Sequence, residues 1–155
     1  MPSPQQSTRV GQLRAQGLRV TSSRLAVLEA IDVLHGHPNA EEILLTARDR
    51  LGSISTQSVY DTLHTLTGVG LLRRIEPAGS PARYELRVGD NHHHLVCTSC
   101  GATRDVDCAV GETPCLEPSS TDGFEIAEAE VIFWGRCPDC KNTPSTKGAT
   151  YDRPQ

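Results

Sequence analysis

At 155 residues the chain suffices for one ordinary domain or for two small ones sharing an interface, and its 37% hydrophobic content supports modest cores. No apolar run approaches the roughly 20 residues that a membrane helix needs. The start Met1-Pro-Ser-Pro-Gln-Gln6 lacks a basic segment followed by an apolar one, so the expectation is a soluble, cytoplasmic protein without a secretory signal. The net charge of -4 is unevenly divided: residues 1–90 hold 10 Arg+Lys against 9 Asp+Glu, and residues 91–155 hold 5 against 10. Arg9, Arg14, Arg19 and Arg24 make a local basic edge that can meet phosphates, although charge alone favours a solvated helix face.

Residues 1–8 and 141–155, rich in Pro, Ser, Thr, Gln and Lys, read as mobile tails. From about Gln12 to Leu66 the pattern is helical. A helix begins near Thr21 or Ser22, a capping residue, and carries Leu25, Leu28, Ile31 and Leu34 on one stripe before Gly36 and Pro38 stop it. Asn39-Ala-Glu-Glu42 has the form of an N-cap with a glutamate three residues on, followed by Ile43, Leu44, Ala47 and Leu51 at helical spacing. Gly52 and Ser53 turn the chain. A further helix starts near Ser55, buries Val59, Leu63 and Leu66, and ends at Gly68 and Gly70.

Leu71–Glu76 and Ala82–Leu86 then read as two strands around a five-residue turn. Helices followed by a β-hairpin make the winged-helix layout, in which the last helix enters the major groove, although such units also serve as protein-interaction modules. Strands are expected near His94 to Cys97, Ala102 to Asp107 and Phe124 to Trp134, with Cys108 to Gly123 irregular. The expected fold class is α+β: an N-terminal winged helix-turn-helix domain over 1–88, then a small α/β domain over 89–140 with a three-stranded antiparallel sheet.

Six cysteines carry the sharpest chemistry. Cys97-Thr-Ser-Cys100 and Cys137-Pro-Asp-Cys140 are two C-x-x-C knuckles separated by 36 residues, a longer gap than in a typical zinc ribbon. Strands can nevertheless bring the knuckles together, and four thiolates close a tetrahedral zinc site with no open position, so the role is structural. A thiol-disulfide redox pair would not require two knuckles. Cys108 and Cys115, with six residues between them, read as free thiols, with a reversible disulfide as the functional alternative.

Three histidines precede the first knuckle. On a strand, His92 and His94 share one face and His93 points to the other. With Glu85, and with Asp105 on a neighbouring strand, the pair makes a mixed nitrogen and oxygen site suited to Fe(II), Mn(II) or Zn(II), and carboxylates tilt it toward the harder ions. One closed and one adjustable metal site read more easily as a sensor than as an enzyme. A zinc hydrolase or deaminase would need His-x-Glu with Pro-Cys-x-x-Cys, and neither is complete here.

Arg19-Val-Thr21, His37-Pro-Asn-Ala-Glu-Glu42, Ser58-Val-Tyr60, Arg83-Tyr-Glu85, His92-His-His-Leu-Val-Cys-Thr-Ser-Cys-Gly101 and Gly135-Arg-Cys-Pro-Asp-Cys140 resemble, in order and spacing from about residue 10 to 140, the signatures of the ferric uptake regulator family. The resemblance implies a homodimeric, metal-dependent repressor that binds double-stranded operator DNA at an AT-rich inverted repeat, with a hinge near Gly89. It implies a regulatory Fe(II) or Mn(II) site of His37, Glu85, His92, His94 and Asp105, and structural zinc on Cys97, Cys100, Cys137 and Cys140. A third site would use Asn91, His93 and Glu112 but lacks the usual histidine, where Ala129 stands. Tyr60 would contact thymine methyls (its alternative is a core aromatic), Gln57 could reach a base edge, and Arg19 and Arg24 would hold phosphates or the minor groove. Asp61 departs from members with a basic residue there.

Asp105 is shared with peroxide-sensing members, whereas Glu85 is the iron-sensor choice. Val88-Gly-Asp-Asn-His92, Asp105-Val-Asp-Cys-Ala-Val-Gly111 and Pro114-Cys115 resemble the subgroup of high-GC Gram-positive bacteria that represses catalase or catalase-peroxidase genes in response to iron and peroxide. In such sensing, bound Fe(II) reacts with peroxide and a histidine ligand is oxidised; His37 and His92 are the candidates. The alternatives are a classical iron-uptake repressor, a zinc-uptake regulator, and a thiol-redox switch at Cys108 and Cys115.

Overall fold

The protein is described by a computed structural model over residues 4–90, 92–107, 119–126 and 129–142. It divides into two compact units, Met1–Glu76 with Pro81–Val88, and Gly89–Gln155 with Pro77–Ser80.

The first unit is built from helices α1 (Pro4–Ala15), α2 (Ser22–Leu34), α3 (Ala40–Leu51) and α4 (Thr56–Gly68), then strands β1 (Arg73–Ile75) and β2 (Arg83–Glu85). Each helix after the first starts on a side chain that satisfies an otherwise orphaned backbone N–H. Thr21 accepts from the Arg24 backbone and Ser55 from Ser58, while Asn39 and Glu42 form a reciprocal capping box. Gly52 ends α3 at φ 74°, a left-handed conformation that costs glycine nothing, and its N–H reaches Arg48 O at 2.8 Å.

The apolar stripes close one core. Leu28 and Ile31 of α2, Ile43, Leu44 and Ala47 of α3, and Val59, Leu63 and Leu66 of α4 are buried in it, as are Leu13 of α1, Leu72 and Tyr84. Leu25 and Leu34 are only partly buried, and Leu51 lies at the surface. Helix α1 begins at Pro4, so residues 4–8, expected as part of a mobile tail, form its first turns; further along the same helix Arg9 pairs with Asp32 at 3.1 Å and Leu13 is 0% exposed.

In the second unit, β3 (His92–Cys97) lies between β4 (Thr103–Asp107) and β5 (Ile132–Gly135), and the short α5 (Pro138–Asn142) follows. Strands β3 and β4 are antiparallel, but β5 runs parallel to β3, so the sheet is mixed where an antiparallel one was expected. The physical reason is connection length: the tight turn after Cys97 returns the chain antiparallel, whereas the long stretch after Asp107 can cross over and re-enter in parallel. The strand expected over Phe124 to Trp134 is confined to β5, and Lys141 and Asn142, expected in the tail, belong to α5. The remaining tail residues, 143–155, lie outside the described residues.

Truncating Leu63, 1% exposed, to alanine should destabilise the first unit by about 2–5 kcal/mol, whereas the same change at Leu45, 56% exposed, should stay within about 0.5 kcal/mol. Denaturant unfolding followed by circular dichroism checks both.

Candidate metal centres and nucleic-acid face

The four knuckle cysteines come from the end of β3, the turn after it, the residue before α5, and α5 itself. Parallel pairing places Cys97 opposite Gly135, and Thr98 N–H donates to Gly135 O at 2.8 Å, which sets the second knuckle beside the first. Gly101, at φ 72°, closes the first knuckle by donating to Cys97 O at 2.9 Å. All four Sγ atoms lie within 4.8 Å of one another. The Cys100–Cys137 separation is 3.7 Å, close to the roughly 3.8 Å between sulfurs that each stand about 2.3 Å from one tetrahedral ion.

The thiols differ in acidity. Burial raises the Cys97 thiol, but the backbone N–H groups of Cys137, Cys100 and Ser99 outweigh it and bring the pKa down to about 6. Cys100 is pulled down by the Ala102 backbone, yet burial and the thiols of Cys97 and Cys137 leave it raised. Cys140 is pushed up to about 12, first by Cys137 and then by Cys100. A cation at the centre removes the mutual repulsion that opposes the later ionisations.

A second ligand set stands at the start of β3. His92 and His94 share a face, with rings 4.9 Å apart, and Asp105 is the β4 residue paired with His94. Their Nε2 atoms lie 3.6 and 3.7 Å from the same Asp105 Oδ1. Both imidazoles are essentially buried. Carboxylates also stand at their other nitrogens: His92 Nδ1 donates to Asp90 Oδ1 at 2.7 Å, and His94 Nδ1 is 3.4 Å from Glu130 Oε1. Neither Asp90 nor Glu130 belongs to the ligand set expected from the sequence. Asp90 precedes the histidines closely enough to have been considered, but nothing local marks Glu130, which arrives through the parallel return of the chain.

His37 and Glu85 meet in the first unit, where His37 Nε2 donates to Glu85 Oε2 at 2.7 Å and both side chains are buried. Strand β2 holds the histidine's loop: Arg83 Nη1 donates to His37 O at 2.9 Å and Tyr84 N–H to Pro38 O at 3.0 Å. Glu85 therefore belongs to a strand of this unit.

His93 faces away from His92 and His94, buried, with its ring 6.4 Å from Phe133 and its Nδ1 without a hydrogen-bond partner among the described residues. Asn91 and Glu112, expected beside it, and the thiols Cys108 and Cys115 lie outside the described residues.

The candidate DNA face is in the first unit. Arg19, Arg24 and Gln57 line a groove of about 480 Å³ at the start of α4. Arg24 Nη1 donates to Arg19 O at 2.6 Å, and Gln57 Nε2 donates to Asp61 Oδ1 at 2.7 Å. The Arg19 guanidinium has no ion-pair partner among the described residues. Tyr60 is 50% exposed, so it is no core aromatic. It lines a neighbouring cleft of about 790 Å³ with His64, Arg74 and Tyr84, between α4 and the hairpin.

Zinc uptake by the metal-free thiol cluster should release protons, because Cys100 and Cys140 hold theirs above the ordinary thiol range. Apparent zinc affinity should consequently fall steeply from pH 8 to pH 6, as measured by chelator competition, and serine at Cys97 should abolish tight retention.

Residues 15–134 match the Ferric uptake regulator family. The chain is 57% identical over 136 residues to "Transcriptional regulator FurA" of Mycobacterium tuberculosis, an alignment covering 88% of this chain and 92% of that one. Among solved structures, the Vibrio cholerae ferric uptake regulator aligns with a TM-score of 0.66 at 28% identity, covering 82% of this chain and 98% of that one. The Campylobacter jejuni peroxide stress regulator aligns with a TM-score of 0.61 at 26% identity, covering 90% and 100%. With its four-thiol cluster, its carboxylate-backed histidine pair and its capped helices leading into a hairpin, the chain belongs to the ferric uptake regulator family of transcriptional regulators.

Proposed function

We propose that the protein is a metal-dependent, homodimeric transcriptional repressor that senses peroxide, iron or both and controls catalase or catalase-peroxidase genes. The observation that carries this reading is the presence of two chemically distinct ligand sets on one strand: four thiols at the end of β3, and two imidazole Nε2 atoms converging on Asp105 at its start.

The donor sets fit different ions. Four sulfurs with no open position suit structural zinc on Cys97, Cys100, Cys137 and Cys140. Imidazoles with carboxylates suit Fe(II) or Mn(II), held by His92, His94 and Asp105 together with His37 and Glu85, the carboxylates of Glu85 and Asp105 balancing a divalent charge. Because His37 and Glu85 belong to one unit and the other three ligands to the second, shared ligation would tie the units together and favour the arrangement that presents α4 to the major groove. Moving that balance from 1:99 to 99:1 takes roughly 5.5 kcal/mol of differential affinity. Fe(II), when bound, would supply one electron to peroxide, giving hydroxide and a hydroxyl radical, and His37 and His92 would be the ligands exposed to that oxidant.

On DNA, an AT-rich inverted repeat, Gln57 reads a base edge, Tyr60 meets thymine methyls, and Arg19 and Arg24 hold phosphates or the minor groove. The reading is supported by similarity to a transcriptional regulator at 57% identity. The ligands point both ways, Asp105 toward peroxide sensing and Glu85 toward a classical iron-uptake repressor, the second reading; the peroxide assignment leans on the resemblance of Val88-Gly-Asp-Asn-His92, Asp105-Val-Asp-Cys-Ala-Val-Gly111 and Pro114-Cys115 to the catalase-regulating subgroup.

Equimolar peroxide should release the Fe(II)-loaded protein from operator DNA while the Mn(II)-loaded protein stays bound, as followed by fluorescence anisotropy. Identical behaviour of the two forms would sink the peroxide reading, and a response to Zn(II) alone would point to zinc-uptake control. Arg19→Ala should weaken binding to all DNA sequences alike and reduce the slope of log affinity against log salt by about 1.

A further inference from the structure

The regulatory histidines differ in how they are held. A neutral imidazole offers a metal only the nitrogen that carries no proton, so whatever engages one nitrogen decides what the other can do. His92, 1% exposed, donates from Nδ1 to Asp90 Oδ1 at 2.7 Å. That bond requires the proton on Nδ1 and leaves the Nε2 lone pair directed toward Asp105, 3.6 Å away. Asp90 is anchored at the very start of the second unit, directly after Gly89, whose φ of 83° turns the chain there. His94 has a looser counterpart in Glu130, at 3.4 Å.

We infer that Asp90 is a positioning residue of the regulatory site: its carboxylate fixes the tautomer and ring orientation of His92 so that Nε2 is the ligand atom. This rests on the proposed regulatory role of His92. Loss of such a hydrogen-bond partner on a metal-ligating histidine typically costs about 10–100-fold in metal affinity. An asparagine can accept the same hydrogen bond without the charge, whereas an alanine cannot.

The test uses the full-length protein with its four-thiol cluster loaded with zinc and the histidine site stripped, in wild type, Asp90→Ala, Asp90→Asn and His92→Ala. Long-range ¹⁵N correlation spectra report the His92 tautomer without regulatory metal, and Mn(II) titration reports affinity. The expected result is an Nδ1–H tautomer in wild type and Asp90→Asn, a mixture in Asp90→Ala, and Mn(II) affinity about 10–100-fold weaker in Asp90→Ala but within a few-fold of wild type in Asp90→Asn. Retained zinc and an unchanged unfolding midpoint would exclude misfolding as the cause. An Nε2–H tautomer in the wild type, or wild-type Mn(II) affinity in Asp90→Ala, would overturn the inference. Unchanged Mn(II) affinity in His92→Ala would overturn the regulatory role of His92 itself, a failure visible in that variant and separate from any effect at Asp90.

Discussion

Everything chemical in the second unit depends on the register of β3. Its side chains alternate between faces, so one pairing frame places His92 and His94 toward Asp105, turns His93 toward Phe133 and delivers Cys97 to the knuckle. A slip of one residue would exchange the faces and dismantle the histidine cluster. Two neighbours hold the frame: β4 pairs His94 with Asp105, and β5 pairs Cys97 with Gly135. The thiol cluster lies where those pairings end, so closing it around an ion would pin the strand whose other end carries the histidines.

The first unit applies a similar economy around β2. Arg83 and Tyr84 hold the His37–Pro38 backbone, and Glu85, one residue further, takes the His37 imidazole. Tyr84 points the other way along the strand and lines the cleft that also contains Tyr60 of α4. Candidate ligands and the candidate DNA face thus share a three-residue strand. On α4, the Asp61 carboxylate accepts from the Gln57 amide and so orients it.

Much of this was legible in the residues because the signals are local. Thr21, Asn39 with Glu42, and Ser55 mark helix starts through bonds made within three residues, and the buried stripes on α3 and α4 follow from helical spacing. The alternation of His92 and His94 follows from strand geometry, and paired C-x-x-C knuckles announce a thiol cluster wherever they occur. Composition misled at residues 4–8, a polar, proline-containing segment that starts α1, a helix whose later residues Arg9 and Leu13 meet the rest of the unit.

What the chain determined by itself is therefore the inventory: which residues cap, which face inward, which can ligate, and which family they belong to. Only the tertiary structure decided the arrangement, namely the parallel direction of β5, the arrival of Glu130 beside His94, the carboxylate of Asp90 on the far nitrogen of His92, and the exposure of Tyr60 on α4. The division has a physical cause. Caps and periodicity are settled by neighbours a turn away, whereas strand direction and side-chain convergence depend on pairings between residues dozens of positions apart, whose free energy no local window of sequence contains.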